Sequence, residues 1–172
     1  TDFLRQMPKI ELHVHLESTM PGWLLERFAV RQGRVLPRTP EELYHCSAED
    51  LSDFLGFLDR ICSYVGITAD LAEAAEHFSA ACREENILYA EAILNPTHWP
   101  QFSLSDIISA VTEGFDRGEA AGGADCRFTL SLSRNQTAEE ADALVTGTRP
   151  SPGGRGTGLP PPLPGPGNWA SA

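Results

Sequence analysis

Residues 8–17 read PKIELHVHLE and place two histidines, His13 and His15, one residue apart in an otherwise apolar run. The run alternates and is rich in branched side chains, which predicts a β-strand. Because residues i and i+2 of a strand point to one face, His13 and His15 should project together. Two imidazoles at this spacing can share a metal ion at about 2.0–2.1 Å from each nitrogen. The stretch therefore predicts a metal site on the first strand.

Two further runs of strand character lie downstream. NILYAEAILNP covers residues 86–96 and ends at an Asn-Pro breaker, and CRFTLSL covers residues 126–132. Helical periodicities separate the three runs, and the strongest is the apolar stripe from Leu51 to Val65. Strands that alternate with helices form βαβ units and a parallel sheet. The pattern predicts an α/β fold, namely the N-terminal part of a TIM-type (β/α)8 barrel, truncated after about three βα units.

The composition changes abruptly after residue 145. Residues 146–172 hold seven glycines and seven prolines and no acidic residue. Such a segment cannot bury a core, so we predict a disordered tail over 146–172 that follows a partial barrel domain over 1–145. The change falls within a predicted helix, which favours a reading-frame shift in GC-rich coding DNA over a natural flexible tail.

Charge and hydropathy restrict the classes of partner. The formal net charge of −11 would repel nucleic-acid phosphates and anionic membranes. No apolar run approaches the roughly 20 residues that span a bilayer, and the first residues lack the apolar core of a secretory signal. We therefore expect a cytoplasmic protein without a nucleic-acid or membrane partner. The scattered cysteines predict buried free thiols rather than a disulfide framework: Cys46, Cys62, Cys82 and Cys126.

The string PKIELHVHLE closely resembles the opening of the adenosine, adenine and AMP deaminase family of metal-dependent amidohydrolases. LSDFLGFLDRI (51–61) resembles the family's helix over the substrate pocket, and ILYAEAILNP (87–96) and CRFTLSLSRNQ (126–136) resemble its second and third strands. The resemblance covers roughly residues 7–145. It implies hydrolytic deamination of adenosine, adenine or a related 6-aminopurine by a metal-activated water, with zinc as the cofactor and a purine base or nucleoside as the partner.

The resemblance also assigns roles to individual residues. His13 and His15 would be two of the metal ligands, and Glu17 stands where relatives place an acidic residue that hydrogen-bonds the substrate. The apolar wall that closes over the purine would comprise Leu51, Phe54, Leu55 and Leu58. Core packing alone would produce the same stripe, and an exposed loop carboxylate is the alternative for Glu17.

The family's catalytic groups and third histidine ligand come from later strands. We therefore expect the catalytic residues outside this chain, and we expect the chain alone to be inactive. The remaining histidines lack the context of the missing ligand: His45, His77 and His98. His98 is the one predicted on the active-site side, where an ordinary loop histidine explains it.

Two departures from the family pattern concern the substrate. Members that act on adenosine usually continue the first motif with Asp-Gly, whereas Glu17 and Ser18 stand here. Ile93 occupies a position where many relatives have arginine. Adenine or another 6-aminopurine derivative therefore stays open beside adenosine.

Two other functions remain open. Metal-dependent phosphoesterases of the histidinol-phosphatase type also end their first strand in H-x-H. A non-catalytic binding module would dock through the apolar stripe at 51–65 and offer LPPPLP (159–164) to aromatic grooves.

Overall fold

The computed structural model describes residues 2–36, 39, 43–44, 51–132 and 136–147. Residues 148–172 of the predicted tail lie outside the described residues. So do His45 and Cys46.

Helices separate the three strands along the described chain, as predicted. The elements are α1 Asp2–Gln6, β1 Lys9–His15, α2 Gly22–Arg31, α3 Leu51–Cys62, α4 Thr68–Glu84, β2 Ile87–Leu94, α5 Leu104–Ala120, β3 Asp125–Leu130 and α6 Ala138–Gly147. Short 3-10 turns follow β1 and β2, at Leu16–Ser18 and Pro96–His98. Within the described part of the chain, no helix is long and apolar enough to cross a membrane.

The three strands form one sheet in the order β1-β2-β3, and both neighbouring pairs are parallel. Parallel neighbours require a crossover. The first contains α2, α3 and α4, and the second contains α5. The predicted α/β fold is therefore confirmed, and its first crossover is enlarged by two additional helices.

Helices α4 and α5 pack on one face of the sheet, where the side chains of β2 and β3 are buried. These are Ala90, Ala92, Leu94, Cys126, Phe128 and Leu130. The two helices approach closely because small residues line their contact. A Cβ added at Gly114 would lie 2.1 Å from the Ala72 carbonyl oxygen and 2.7 Å from the Ala75 Cβ. Glycine at position 114 is therefore required by the helix–helix distance.

The opposite side of the sheet, here called the open face, carries Tyr89 and Ile93 of β2. Tyr89 pairs with Ile10 of β1, and Ile93 pairs with His15. From Ile10 to His15 β1 advances five positions, whereas β2 advances four from Tyr89 to Ile93. β1 thus contains one extra residue, a β-bulge, and bulges change which face the following side chains take.

The bulge lies between Glu11 and Val14. Both residues pair with helix-facing alanines of β2, whereas His15 pairs with Ile93 on the open face. Simple alternation over the whole strand would have placed Glu11 on the same face as His15. The bulge separates them and leaves the histidine end of β1 directed to the open face.

Candidate functional site

The carboxyl ends of β1 and β2 meet at one edge of the sheet. His15 is the last residue of β1 and pairs with Ile93, one residue before the end of β2. The turn Leu16–Ser18 continues from β1, and Asn95 caps the turn that follows β2 by accepting the Thr97 amide. In parallel α/β folds, ligands bind beyond the carboxyl ends of the strands.

The predicted projection of the two histidines is observed at this edge. The ring centroids of His13 and His15 are 5.8 Å apart, and the ring planes meet at 72°. Both residues are exposed. Partial burial lowers the pKa of His15 below 6.5, and the neighbouring His13 and His98 lower it further. His15 is therefore neutral at pH 7, which is the form that binds metal ions.

Glu17 lies below this pair and is only 1% exposed. The alternative of an exposed loop carboxylate is therefore wrong. Its Oε1 accepts the backbone N–H of Asn95, which ties the turn after β1 to the end of β2. Burial raises the pKa of Glu17 to about 7, and the hydrogen bond from Asn95 opposes that rise.

The second oxygen of Glu17 has no hydrogen-bond partner among the described residues. This Oε2 lies 3.8 Å from Nδ1 of His15. The distance is longer than a hydrogen bond, but the two atoms are complementary when the imidazole carries its proton on Nδ1.

The donors at the edge fit part of a metal site. Neutral imidazoles are the usual nitrogen ligands of zinc, and His13 and His15 supply two side by side. The described residues contain no group of three or more His, Cys, Asp or Glu side chains that could hold a metal ion. The observed set therefore fits two ligand positions, and the metal role of both histidines stays a prediction.

Helix α3 lies against the turn Leu16–Ser18, and it carries the predicted apolar wall. Phe54 and Leu55 are 43% and 46% exposed, whereas Leu58 is 6% exposed and belongs to the core. The side chain of Leu51 lies outside the described residues. The core-packing alternative thus explains Leu58. Phe54 and Leu55 present apolar surface, and their contact with a purine stays a prediction.

His98 has a role that its sequence context did not reveal. Its Nδ1 lies 2.9 Å from Oδ1 of Asp59 in α3, and its ring contacts Trp99 edge-on. The sequence signal for this location is its position directly after the second strand, because residues there reach the same sheet edge as His15. By contrast, His77 lies on α4 and contacts Trp23 of α2.

Polar and charged side chains lie on the open face of β2 and β3, on the N-terminal side of the strand ends. The hydroxyl of Tyr89 donates to Glu91 Oε1 at 2.8 Å, and Arg127 forms an ion pair with Asp125 at 3.2 Å. Glu91 and Arg127 are paired in register across β2 and β3. Polar and charged groups thus line the face that leads to the two histidines.

Comparison with known proteins adds an independent finding. Residues 8–151 match the model of the adenosine deaminase family. The adenine deaminase of Rhodospirillum rubrum is 28% identical over 147 residues, which are 83% of this chain and 44% of that protein. The adenosine deaminase of Enterococcus faecalis is 26% identical over 83% of this chain and 44% of its own length. The chain spans about half the length of the curated relatives it matches.

Solved structures show the same architecture. The adenine deaminase of Arthrobacter aurescens superposes with a TM-score of 0.73 at 22% identity over 83% of this chain and 46% of that chain. A zinc-bound amidohydrolase of Burkholderia ambifaria gives a TM-score of 0.78 at 23% identity, over 92% of this chain and 44% of that chain. The sheet described above is therefore the N-terminal part of a (β/α)8 barrel, as predicted.

Proposed function

Since this chain belongs to the adenosine deaminase family, whose model matches residues 8–151, we propose that it serves the hydrolytic deamination of a 6-aminopurine. The observation that carries the proposal is the pair of adjacent histidines, His13 and His15, at the carboxyl edge of a parallel sheet. The family match gives this pair a chemical context that an arbitrary H-x-H lacks.

Adenine is the proposed substrate, with adenosine as the alternative. Adenine deaminases of Rhodospirillum rubrum, Bordetella parapertussis and Pseudomonas syringae are among the relatives, and an adenine deaminase is among the structural neighbours. The Glu17-Ser18 sequence in place of Asp-Gly also favours a substrate other than adenosine. Structural neighbours from Arabidopsis contain GMP and IMP, so related folds also take nucleotides.

Zinc is the proposed metal, because two imidazole nitrogens suit it and because a structural neighbour contains it. When bound, zinc supplies a water of lowered pKa as the nucleophile. His13 and His15 would hold the ion through neutral imidazoles. The low pKa of His15 keeps that side chain free of a competing proton at pH 7.

Other residues of the chain shape the surroundings. Glu17 fixes the turn after β1 to the backbone of Asn95 and so holds the histidine end of β1 against β2. Phe54 and Leu55 offer apolar surface that would exclude water from a bound purine. The described residues contain no group of three or more His, Cys, Asp or Glu side chains that could hold a metal ion, and the family's catalytic groups are expected from later strands. We therefore expect no turnover of adenine or adenosine by this chain alone.

Metal titration tests the proposal without relying on activity. We expect the purified chain to bind Co²⁺ or Zn²⁺ weakly, and the variants His13→Ala and His15→Ala to lose that binding. The variant His77→Phe is the control, because His77 lies between two helices away from the edge. Equal metal affinity of the wild-type chain and His13→Ala would show that the proposed metal site does not exist. Stoichiometric zinc with ammonia release that His13→Ala abolishes would instead show a complete active site.

A further inference from the structure

Large apolar side chains are exposed along the first residues of the chain. They lie on α1, on β1 and between the two, and each of these residues is 40–75% exposed. Together they are here called the closing surface: Phe3, Leu4, Met7, Ile10 and Leu12. An exposed apolar patch of this kind marks a surface that another molecule or segment covers.

The chain itself holds α1 in place. Nζ of Lys9 donates to the Leu4 carbonyl oxygen at 2.9 Å, and Nδ2 of Asn86 donates to the Gln6 carbonyl oxygen at 2.6 Å. Asn86 directly precedes β2, so α1 lies at the amino end of the sheet, opposite the edge that carries the histidines. The backbone of the closing surface is therefore anchored although its apolar side chains are exposed.

The closing surface adjoins a free strand edge. The sheet order is β1-β2-β3, so no strand among the described residues pairs with the outer edge of β1. Ile10 pairs with Tyr89 and lies on the open face. A (β/α)8 barrel has no free edge, because its last strand pairs with its first. In a closed barrel, later βα units therefore cover both the outer edge of β1 and the open face.

The superposed barrels show how much of the fold would cover this surface. The chain covers 46% of the adenine deaminase of Arthrobacter aurescens and 44% of the zinc-bound amidohydrolase. Such a barrel has eight strands, three are described here, and five remain. The described residues of two copies of this chain would hold six strands, so a second copy does not complete the barrel.

Charge and strand shape favour a matched apolar partner. Residues 1–16 contain two acidic and two basic side chains, so their formal net charge is zero, whereas the whole chain carries −11. Obligate interfaces are apolar and resemble a domain core cut in half. The bulge between Glu11 and Val14, together with the hydrogen bond from the His13 N–H to Glu11 Oε1 at 3.3 Å, opposes pairing with an arbitrary strand.

We propose that the closing surface docks a second polypeptide that carries the remaining five βα units of an adenosine-deaminase-type barrel, so that two chains close one barrel. Its last βα unit would cover the closing surface. Its strand ends would bring the metal-ligating and acid–base side chains that complete the site beside His13 and His15. The identity of those side chains rests on the proposed function, whereas the docking rests on the fold and the closing surface.

Mixing of two chains tests the inference. The partner probe is the part of the Rhodospirillum rubrum adenine deaminase that lies beyond the segment matched by this chain. Its competence is first established by its binding to the N-terminal segment of its own protein. Sedimentation velocity should then show a 1:1 complex between this probe and the full 172-residue chain.

Lysine substitutions locate the contact. Ile10→Lys and Phe3→Lys place a charge on the closing surface, and we expect about 10–100-fold weaker binding of the probe by each. Both positions are exposed in the chain alone, so the variants should fold. Val30→Lys on α2 is the matched control, because Val30 is 68% exposed and Ile10 is 67% exposed. It should bind the probe as tightly as the wild-type chain does.

The outcomes separate this inference from the proposed function. The absence of a complex with the competent probe overturns the docking, and so do equal affinities of Ile10→Lys, Phe3→Lys and Val30→Lys. A homodimer of the chain that Ile10→Lys dissociates assigns the closing surface to a second copy and also overturns it. Ammonia release from adenine by the zinc-loaded complex, lost in His13→Ala, supports both the docking and the proposed function. A complex that responds to the variants but releases no ammonia leaves the docking in place, and the proposed function then fails.

Discussion

His98 in the turn after β2 donates through Nδ1 to Oδ1 of Asp59 in α3 over 2.9 Å. The His98 side chain is 11% exposed and that of Asp59 is 69% exposed. The bond therefore runs from a largely buried imidazole to a carboxylate at the surface of the helix. It connects the carboxyl edge of the sheet to the helix that carries Phe54 and Leu55.

A second contact strengthens the same connection. The indole Nε1–H of the buried Trp99 donates to the Cys62 carbonyl oxygen at 3.1 Å. Asp59 and Cys62 are three residues apart and so lie on one side of α3. Consecutive residues of the turn thus hold the last turns of α3 in place, which fixes the position of the helix beside the two histidines.

Removal of the Asp59 carboxylate should weaken this anchor. We expect Asp59→Ala to lower the free energy of unfolding by about 0.5–1.5 kcal/mol, since the buried His98 loses its acceptor. Asp59→Asn keeps Oδ1 as an acceptor, so its free energy of unfolding should fall by less. Urea unfolding of the three proteins gives the comparison. Equal stabilities of the alanine and asparagine variants would show that the bond does not hold the helix.

The first strand and its histidine pair could be predicted because both depend on short-range geometry. Alternation over residues 9–15 defines the strand, and i, i+2 spacing places His13 beside His15. The bulge could not be predicted, because it depends on the register between β1 and β2. Residues more than 70 positions apart in the chain determine that register.

The burial of the site residues likewise depends on contacts between residues that are distant in sequence. Glu17 is buried because the N–H of Asn95, which is distant in sequence, meets its carboxylate. The apolar stripe of α3 predicted a helix but did not separate buried Leu58 from exposed Phe54 and Leu55. The periodicity of a helix shows which residues share a face, whereas their burial depends on what packs against it.

Two helical glycines should respond oppositely to alanine. A Cβ at Gly56 in α3 would meet only Arg60 Nη1, at 3.9 Å, so Gly56→Ala should stabilise the chain by about 0.5–1 kcal/mol through helix propensity. A Cβ at Gly114 would overlap the Ala72 carbonyl oxygen, so Gly114→Ala should destabilise it by about 1–3 kcal/mol. Thermal unfolding midpoints measure both. A stable Gly114→Ala variant would contradict the close packing of α4 on α5.

Asp70 should be a strong contributor to stability. Helix α4 begins at Thr68, and Asp70 in its first turn provides the acceptor for the backbone N–H groups that precede it. The buried Asp70 Oδ2 accepts the N–H groups of Gly66 at 2.9 Å and Ile67 at 3.1 Å, and Oδ1 accepts from Arg31. Asp70→Ala should cost about 2–4 kcal/mol, because it leaves these donors without their partner. Asp70→Asn retains one acceptor oxygen, so its free energy of unfolding in urea should lie between those of the wild-type chain and Asp70→Ala. An unchanged midpoint for Asp70→Ala would contradict the assignment.

His77 should make the chain less stable in mild acid. Burial lowers the pKa of His77 below 6.5, and the carboxylate of Glu84 opposes this effect. A histidine with a lower pKa in the folded state contributes its stability in full above pH 6.5 and loses it as the pH falls toward the folded pKa.

His77→Phe removes the titration. The phenyl ring can still contact Trp23, whose ring centroid lies 5.1 Å from that of His77 with the two planes at 83°. Urea unfolding of both proteins between about pH 8 and about pH 5.5 should show a smaller loss of stability for the variant. All other titrating groups are shared, so the difference between the two curves belongs to His77. Parallel curves would mean that His77 has the same pKa in the folded and unfolded chain.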